Sequence, residues 1–274
     1  MVSAGVQRHY ARARLVDAIR DGLKAMGTDP DRLTPADLAP IDEFHIRGRK
    51  ATLELAAAVQ PKATDRVIDI GCGLGGASRL LASEFGCRVT GVDLTPDYCR
   101  AAKAMARWVG LEEKVEYKIG DALDLPFSDG SFDIAWTQHA SMNIADKTRF
   151  SAEAHRVLKP GGRFAIYDIL EGPGGPVHFP VPWAREPSIS HLVTPEEMRR
   201  LLEQAGFEIL SWRDVTAEGR DWFAEMNRRI REHGLPPLNF SLLLGQDFGI
   251  MAENQERNLR ESRILLIEAV GRRK

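Results

Sequence analysis

Three cysteines in 274 residues, few aromatic side chains and no long apolar run are the scarcities that bound this sequence. Cys72, Cys87 and Cys99 are odd in number and lack metal-ligand spacing. A disulfide framework and a cysteine metal site are therefore not expected; the three read as reduced thiols of a cytoplasmic protein, and no metal is expected. The apolar runs fall well short of a membrane span. Arg8, Arg12 and Arg14 are followed by no apolar core, so no secretory signal is expected. The net charge of −2 gives no broad positive footprint for nucleic acid. Repeats and low-complexity tracts are absent. What remains, 43% hydrophobic and 28% charged residues, suits a globular protein with one large domain and additions, or two small domains.

One stretch organises the rest. Val67-Ile68-Asp69-Ile70 is an apolar run of the kind that forms a buried parallel strand. It passes through Gly71-Cys72-Gly73-Leu74-Gly75-Gly76 into Ala77-Ser78-Arg79-Leu80-Leu81-Ala82, which reads as a helix. Glycines let backbone approach a ligand without a Cβ clash, and the free N–H groups of a helix start face that ligand. A second strand, Cys87 to Leu94, carries Asp93, roughly 20 residues beyond Gly73. At that spacing an acid meets a ribose diol, because a carboxylate accepts two hydrogen bonds. The competing reading of Asp93 is a helix cap before Thr95-Pro96.

Strands and helices alternate from Arg66 onward, which predicts an α/β fold: a doubly wound, largely parallel sheet with helices on both faces. Strands are expected over Val115 to Ile119, Phe132 to Thr137 and Arg163 to Leu170, with helices over Pro96 to Val109 and around Phe150, Ala154, Val157 and Leu158. Before this core, His9 to Met26 carries Leu15, Ile19, Leu23 and Met26 at helical spacing and stops at Gly27-Thr28-Asp29-Pro30. Leu33 to Pro40 reads as a turn-rich connector. Beyond the core, Glu171 to Leu192 is rich in proline and glycine and reads as a long loop. It carries His178, Trp183 and His191, and such loops cover active sites. Thr194-Pro195 starts a helix. Helices around Trp222 to Ile230 and over Leu242 to Arg260 precede a final strand, Ile264 to Val270. The expected division is a helical lid segment at 1–50, a core at 51–216 with an acceptor loop at 171–192, and a helical cap with the last strand at 217–274.

A glycine turn with a ribose acid fits NAD or S-adenosylmethionine. Gly71, Gly73 and Gly76 satisfy G-x-G-x-x-G, so the pattern alone does not choose. Asp69 inside the strand, Gly120-Asp121-Ala122 after the third strand, Leu125 to Asp133, and Arg156 to Gly162 before the fifth strand are the further features. With these the sequence resembles the class I S-adenosylmethionine-dependent methyltransferases over about Ala51 to Leu210. Asp42 to Gly48 and Thr137-Gln138-His139-Ala140 are similar to the sarcosine/dimethylglycine and sterol-type small-molecule methyltransferases. An NAD-dependent oxidoreductase and a non-catalytic adenosyl-binding subunit are the alternatives.

The resemblance implies a Rossmann-like seven-stranded sheet of order 3-2-1-4-5-7-6 with the last strand antiparallel. It implies S-adenosylmethionine as cofactor and a small-molecule amine, hydroxyl or carbon nucleophile as acceptor, with no nucleic acid and no membrane as partner; a homodimer is compatible with it. Asp69, Gly71, Cys72 and Gly73 then line the methionine end, Asp93 and Leu94 the ribose and adenine face, Asp121 and Ala122 the adenine, and Gln138 the sulfonium side. His139, just past the fourth strand, is an acid–base candidate or a loop histidine. Asp168, in the fifth strand, is a second acid–base candidate or an acceptor of a loop hydrogen bond. Some natural-product O-methyltransferases carry a catalytic histidine a few residues further on, where this chain has Met142-Asn143. Arg47, in the basic turn with His45, is placed near the cofactor carboxylate or an acidic acceptor. Tyr10 closes over the site or packs. His178, Trp183 and His191 complete the expected acceptor contacts.

Overall fold

The computed structural model describes residues 2–12, 14–29 and 32–274; Pro30, read above as part of a helix stop, lies outside them. The chain opens with α1 (Val2–Tyr10), α2 (Leu15–Ala25), α3 (Pro35–Asp42) and α4 (Gly48–Val59). The alternating core follows as β1 (Arg66–Ile70), α5 (Gly76–Glu84), β2 (Arg88–Asp93), α6 (Pro96–Trp108), β3 (Val115–Ile119), β4 (Phe132–Gln138), α7 (Lys147–Val157) and β5 (Leu158–Glu171). Then come α8 (Pro195–Gln204), β6 (Phe207–Asp214), α9 (Thr216–His233), α10 (Ser241–Leu244), α11 (Phe248–Arg260) and β7 (Ile264–Arg273).

The seven strands form one sheet of order β3-β2-β1-β4-β5-β7-β6, as the resemblance implies. β1 to β5 pair in parallel, and β7 runs antiparallel between β5 and β6. β1 is flanked by β2 on one side and β4 on the other, so the strand order reverses there. In a doubly wound sheet that reversal opens a crevice at the carboxyl ends of the strands. One apolar layer covers each face: Leu55, Val67, Trp136 and Tyr167 belong to one, Ile68, Phe132, Phe164 and Phe207 to the other. A third cluster joins the first and last parts of the chain, with Leu15, Ile19 and Leu23 of α2 against Tyr98 and Met105 of α6 and Leu243 and Leu244 of α10. Among the described residues no helix is long and apolar enough to cross a membrane.

Three elements differ from the pattern-based expectation. The helix expected over His9 to Met26 is two helices: α1 ends at Tyr10 and α2 starts after Arg14, which sits in the left-handed region at φ 58°. At the break the Arg12 N–H donates to Asp97 of α6 at 3.0 Å, a long-range bond that replaces a helical one. Leu33 to Pro40 holds a helix rather than a connector. Thr34 is its N-cap, Pro35 its first residue, and Asp37 reaches back to the Thr34 N–H at 2.8 Å. That is a reciprocal cap with aspartate in the usual glutamate position. The expected Leu242 to Arg260 helix is interrupted at Gly245, whose φ is 72°.

Candidate active site

β1 is buried along its last four residues, and the chain leaves it through glycines with positive φ. Gly71, at φ 78°, has no room beneath it: a Cβ there would lie 2.4 Å from the Cβ of Ala140, in the loop after β4. Gly73, at φ 54°, has nothing within 4 Å of the corresponding point, so its open side faces the cavity. The turn is thus clamped to the β4 loop below and free above.

Two carboxylates stand at this turn. Asp93, ending β2, accepts the Gly73 N–H at 2.9 Å on one oxygen and the Thr95 N–H at 2.8 Å on the other. Burial raises its pKa and those two bonds oppose the rise. Each oxygen keeps a lone pair for a further donor. Asp69, in β1, is buried and accepts the Ser78 hydroxyl at 2.6 Å. Burial pushes its pKa up to about 7. Cys72 lies buried under the turn. Asp121, just after β3, is exposed and accepts the Leu123 N–H at 2.9 Å.

Asp69, Gly71, Cys72, Gly73, Asp93, Leu94, Asp121, Ala122, Gln138, His139, Tyr10, His45 and Trp183 all line one cavity of about 860 Å³. The N-terminal segment closes one side of it. Asp42 of α3 forms a buried ion pair with Arg79 of α5 at 2.6 Å, which ties the segment to the helix of the glycine turn. From there Glu43 accepts from the Thr52 hydroxyl at 2.9 Å and pairs with Nε2 of His45 at 2.9 Å. Burial pushes the Glu43 carboxyl up, but the His45 and Thr52 hydrogen bonds outweigh it and hold it below the usual range. Thr52 also lies 3.3 Å from Oε1 of Gln138, and the His45 ring stands 5.8 Å from the ring of His139. Glu43 does not stand out in the sequence; an acid two residues before a histidine was the available sign.

His139 is held in a left-handed conformation, φ 47°. Its N–H donates to the Tyr167 carbonyl at 2.8 Å, and its ring stacks on Tyr167 at 4.9 Å. Burial, with His45 beside it, keeps its pKa well below that of an ordinary histidine. Tyr10 donates to Asn143 at 3.0 Å, and His9 meets the Pro182 carbonyl at 2.8 Å, so α1 lies across the site.

Four other candidates do not line the cavity. Arg47 is buried against Glu54 at 2.5 Å, at the start of α4. Asp168 accepts the Ser141 N–H at 3.0 Å and so fixes the β4 loop from behind; burial raises its pKa. His178 is held by Glu261 at 2.9 Å and by Asn258, at the end of α11. His191 joins its N–H to Met142 and its carbonyl to Lys147. From the 171–192 loop Pro182 and Trp183 reach the cavity, with Trp183 pinned by its own N–H to Ser190 at 3.0 Å. The rest of that wall comes from the cap: Trp222, Phe223, Met226 and Ile230 of α9, Leu243 and Leu244 of α10, and Phe248 of α11. Their spacing marks amphipathic helices in the sequence, but nothing in it says that the apolar face covers a cavity.

Comparison with known proteins gives the same answer as this geometry. Residues 68–166 match the family model described as "Methyltransferase domain". The chain is 37% identical to the chloroplastic tocopherol O-methyltransferase of Arabidopsis thaliana over 50% of its own length and 40% of that relative's, so it spans less than half of it. It is 31% identical to methyltransferase GfsG of Streptomyces halstedii, over 74% of this chain and 75% of the relative. The solved structure of geranyl diphosphate C-methyltransferase from Streptomyces coelicolor A3(2), with Mg2+, geranyl diphosphate and S-adenosyl-L-homocysteine, superposes with a TM-score of 0.73. That match is at 21% identity and covers 100% of this chain and 98% of that one, which shows the shared fold. The oxidoreductase alternative gains no support from these matches. The glycine turn, the sheet order and the identity across three quarters of GfsG lead to one conclusion: the chain belongs to the S-adenosylmethionine-dependent methyltransferase family.

Proposed function

We propose that the protein transfers a methyl group from S-adenosylmethionine to a small-molecule acceptor bound against the cap. The observation that carries this reading is the continuity of one cavity from Asp93 and Gly73 to His139 and the apolar faces of α9 to α11. The residues present suit the cofactor. Asp93 retains lone pairs for two ribose hydroxyls, Asp69 is a buried carboxylate for the amino group, and the turn from Gly71 to Gly73 offers open backbone. Leu94, Asp121 and Ala122 line the part assigned to the adenine.

S-adenosylmethionine supplies a methyl already activated on a sulfonium. What the chain contributes is alignment, the largest available effect in such a transfer, and a place for any proton the acceptor gives up. His139 suits the second of these roles, since it lines the cavity, is held rigidly on Tyr167 and is neutral at pH 7. Asp168 serves by holding the Ser141 end of the same loop. The three cysteines, buried as free thiols, support a reducing, cytoplasmic setting.

Calorimetric titration with S-adenosylhomocysteine and with NAD tests the reading; the first should bind and the second should not. Asp93→Ala should weaken S-adenosylhomocysteine by about 1.5–3 kcal/mol, the range for hydrogen bonds to a charged group. Unchanged affinity removes Asp93 from the site. Relatives named as O-, N- and C-methyltransferases all resemble this chain, so the likeness does not choose the acceptor atom.

A further inference from the structure

We infer that the acceptor is an apolar, uncharged molecule that presents a hydroxyl, and that the side-chain amide of Gln138 and the imidazole of His139 hold that hydroxyl. The inference rests on the methyl-transfer reading and names the acceptor class for the same cavity.

The first observation is a pair of orphaned polar atoms. Nε2 of Gln138 and Nε2 of His139 are both buried without a hydrogen-bond partner, and both residues line the cavity. The Gln138 amide cannot be turned around. Its Oε1 accepts from Nε1 of Trp136 at 2.9 Å, and an indole nitrogen is a donor only. Gln138 therefore offers N–H groups. His139 is kept neutral by burial, and with its proton on Nδ1 it presents the lone pair at the orphaned Nε2. A donor and a proton acceptor on successive residues match a hydroxyl, which has lone pairs to receive the amide N–H and a proton to give the imidazole. An amine does not match, because its single lone pair cannot both accept from Gln138 and attack the methyl.

The second observation is charge. Among the described lining residues Arg229 is the one lysine or arginine; its side chain is 65% exposed and bound to Glu225 at 2.7 Å. An anionic head group has no buried lysine or arginine to meet among the described residues. Among the lining carboxylates, Asp42 is spent on Arg79 and Asp146 on the first turn of α7, while Asp69, Asp93 and Asp121 stand on the glycine-turn side. An ammonium on the cap side has no counter-charge among the described residues either. The cap wall is apolar and aromatic, which suits a large hydrocarbon body.

In the step this implies, the hydroxyl oxygen forms the new C–O bond while the methyl–sulfur bond breaks. That bond's electron pair stays on sulfur, and the hydroxyl proton passes to the lone-pair nitrogen of His139.

Three probes with one apolar body test it by calorimetry on protein saturated with S-adenosylhomocysteine: para-octylphenol, para-octylbenzoate and para-octylbenzylamine. The phenol should bind about tenfold tighter than the other two, the effect of one or two neutral hydrogen bonds. Gln138→Glu keeps an acceptor for Trp136 but replaces the free N–H groups with oxygen, and His139→Asn keeps a residue that tolerates positive φ. Each should lower phenol affinity about tenfold on protein saturated with S-adenosylhomocysteine, and a cooperative thermal transition near that of the wild type shows that the variant is folded. With S-adenosylmethionine the product should be the aryl ether. Equal binding of benzoate or benzylamine, no binding of the phenol, no effect of either variant, or a ring-methylated product overturns the inference. Failure of S-adenosylhomocysteine itself to bind overturns instead the methyl-transfer reading on which it stands.

Discussion

Asp69 is a residue that acts against stability and that the proposed function sets to binding. Its folded-state pKa, about 7, lies above that of a free aspartate because burial disfavours the charge. Between the free value, about 3.9, and about 7 the folded protein holds a proton that the unfolded chain has released. The stability this contributes is full at low pH and is lost as pH rises through the window. Asp69→Asn, which still accepts from Ser78, should therefore raise the melting temperature of the ligand-free protein at pH 8 more than at pH 5. It should also abolish a pH dependence of S-adenosylhomocysteine binding. In the wild type, affinity should increase as pH rises through about 7, since only the ionised carboxylate attracts the ligand's ammonium. Calorimetry at several pH values reads this directly; a flat wild-type profile takes Asp69 away from the amino group. At this scale the placing of the glycine turn, Asp69 and Asp93 together at one sheet edge was legible, because each position is set by chemistry local to one strand end. Arg47, His178 and His191 were not. A charged residue type announces that a partner is needed but not where it is, and all three are held elsewhere, Arg47 and His178 by Glu54 and Glu261 and His191 through its backbone.

Among the elements, α3 and α5 carry the connection between the N-terminal segment and the cofactor turn. The Asp42–Arg79 pair is almost wholly out of solvent, and Arg79 also reaches the Tyr117 hydroxyl and the Ala102 carbonyl. Removing one partner of a buried pair leaves the other charge uncompensated, so Arg79→Met should cost about 3–5 kcal/mol. Urea denaturation measures the loss; a value near zero means that Asp42 simply protonates, as burial already favours, with its pKa raised to about 6. The helix α3 itself was written in the sequence as Thr34-Pro35 followed by Asp37, a cap hidden inside a stretch that its two prolines make look like a connector. The break between α1 and α2 was not written there. The Arg12–Asp97 bond that marks it joins residues 85 apart in sequence, and the helical stripe of α2 continues smoothly into the break.

Across the whole molecule, the cap completes a cavity that the sheet only begins. Trp222 and Phe223, packed edge to face at 4.9 Å, line the same cavity from α9. Trp222→Ala should raise the acceptor KM while leaving the S-adenosylhomocysteine dissociation constant unchanged, the pattern of lost uniform acceptor binding. A weakened cofactor with an unaltered acceptor KM assigns α9 to the donor side instead. What the sequence by itself determined is the start of the sheet: strand, glycine turn, helix start and the acid that ends β2 follow one another within about 25 residues, and local backbone chemistry dictates their form. The alternation that follows dictates a parallel sheet. The rest of the cavity was decided mainly by tertiary structure: Tyr10 and Trp183 were expected at it from the sequence, the enclosing faces of the cap helices were not. Its walls come from α1, the β4 loop, Trp183 and α9 to α11, segments as far apart in sequence as Val6 and Gln255, whose apolar faces look in sequence like those of any core helix. Whether such a face packs against protein or encloses space depends on what stands opposite it, and that is settled only when α2 seats against α6 and α10 and the cap closes over the sheet.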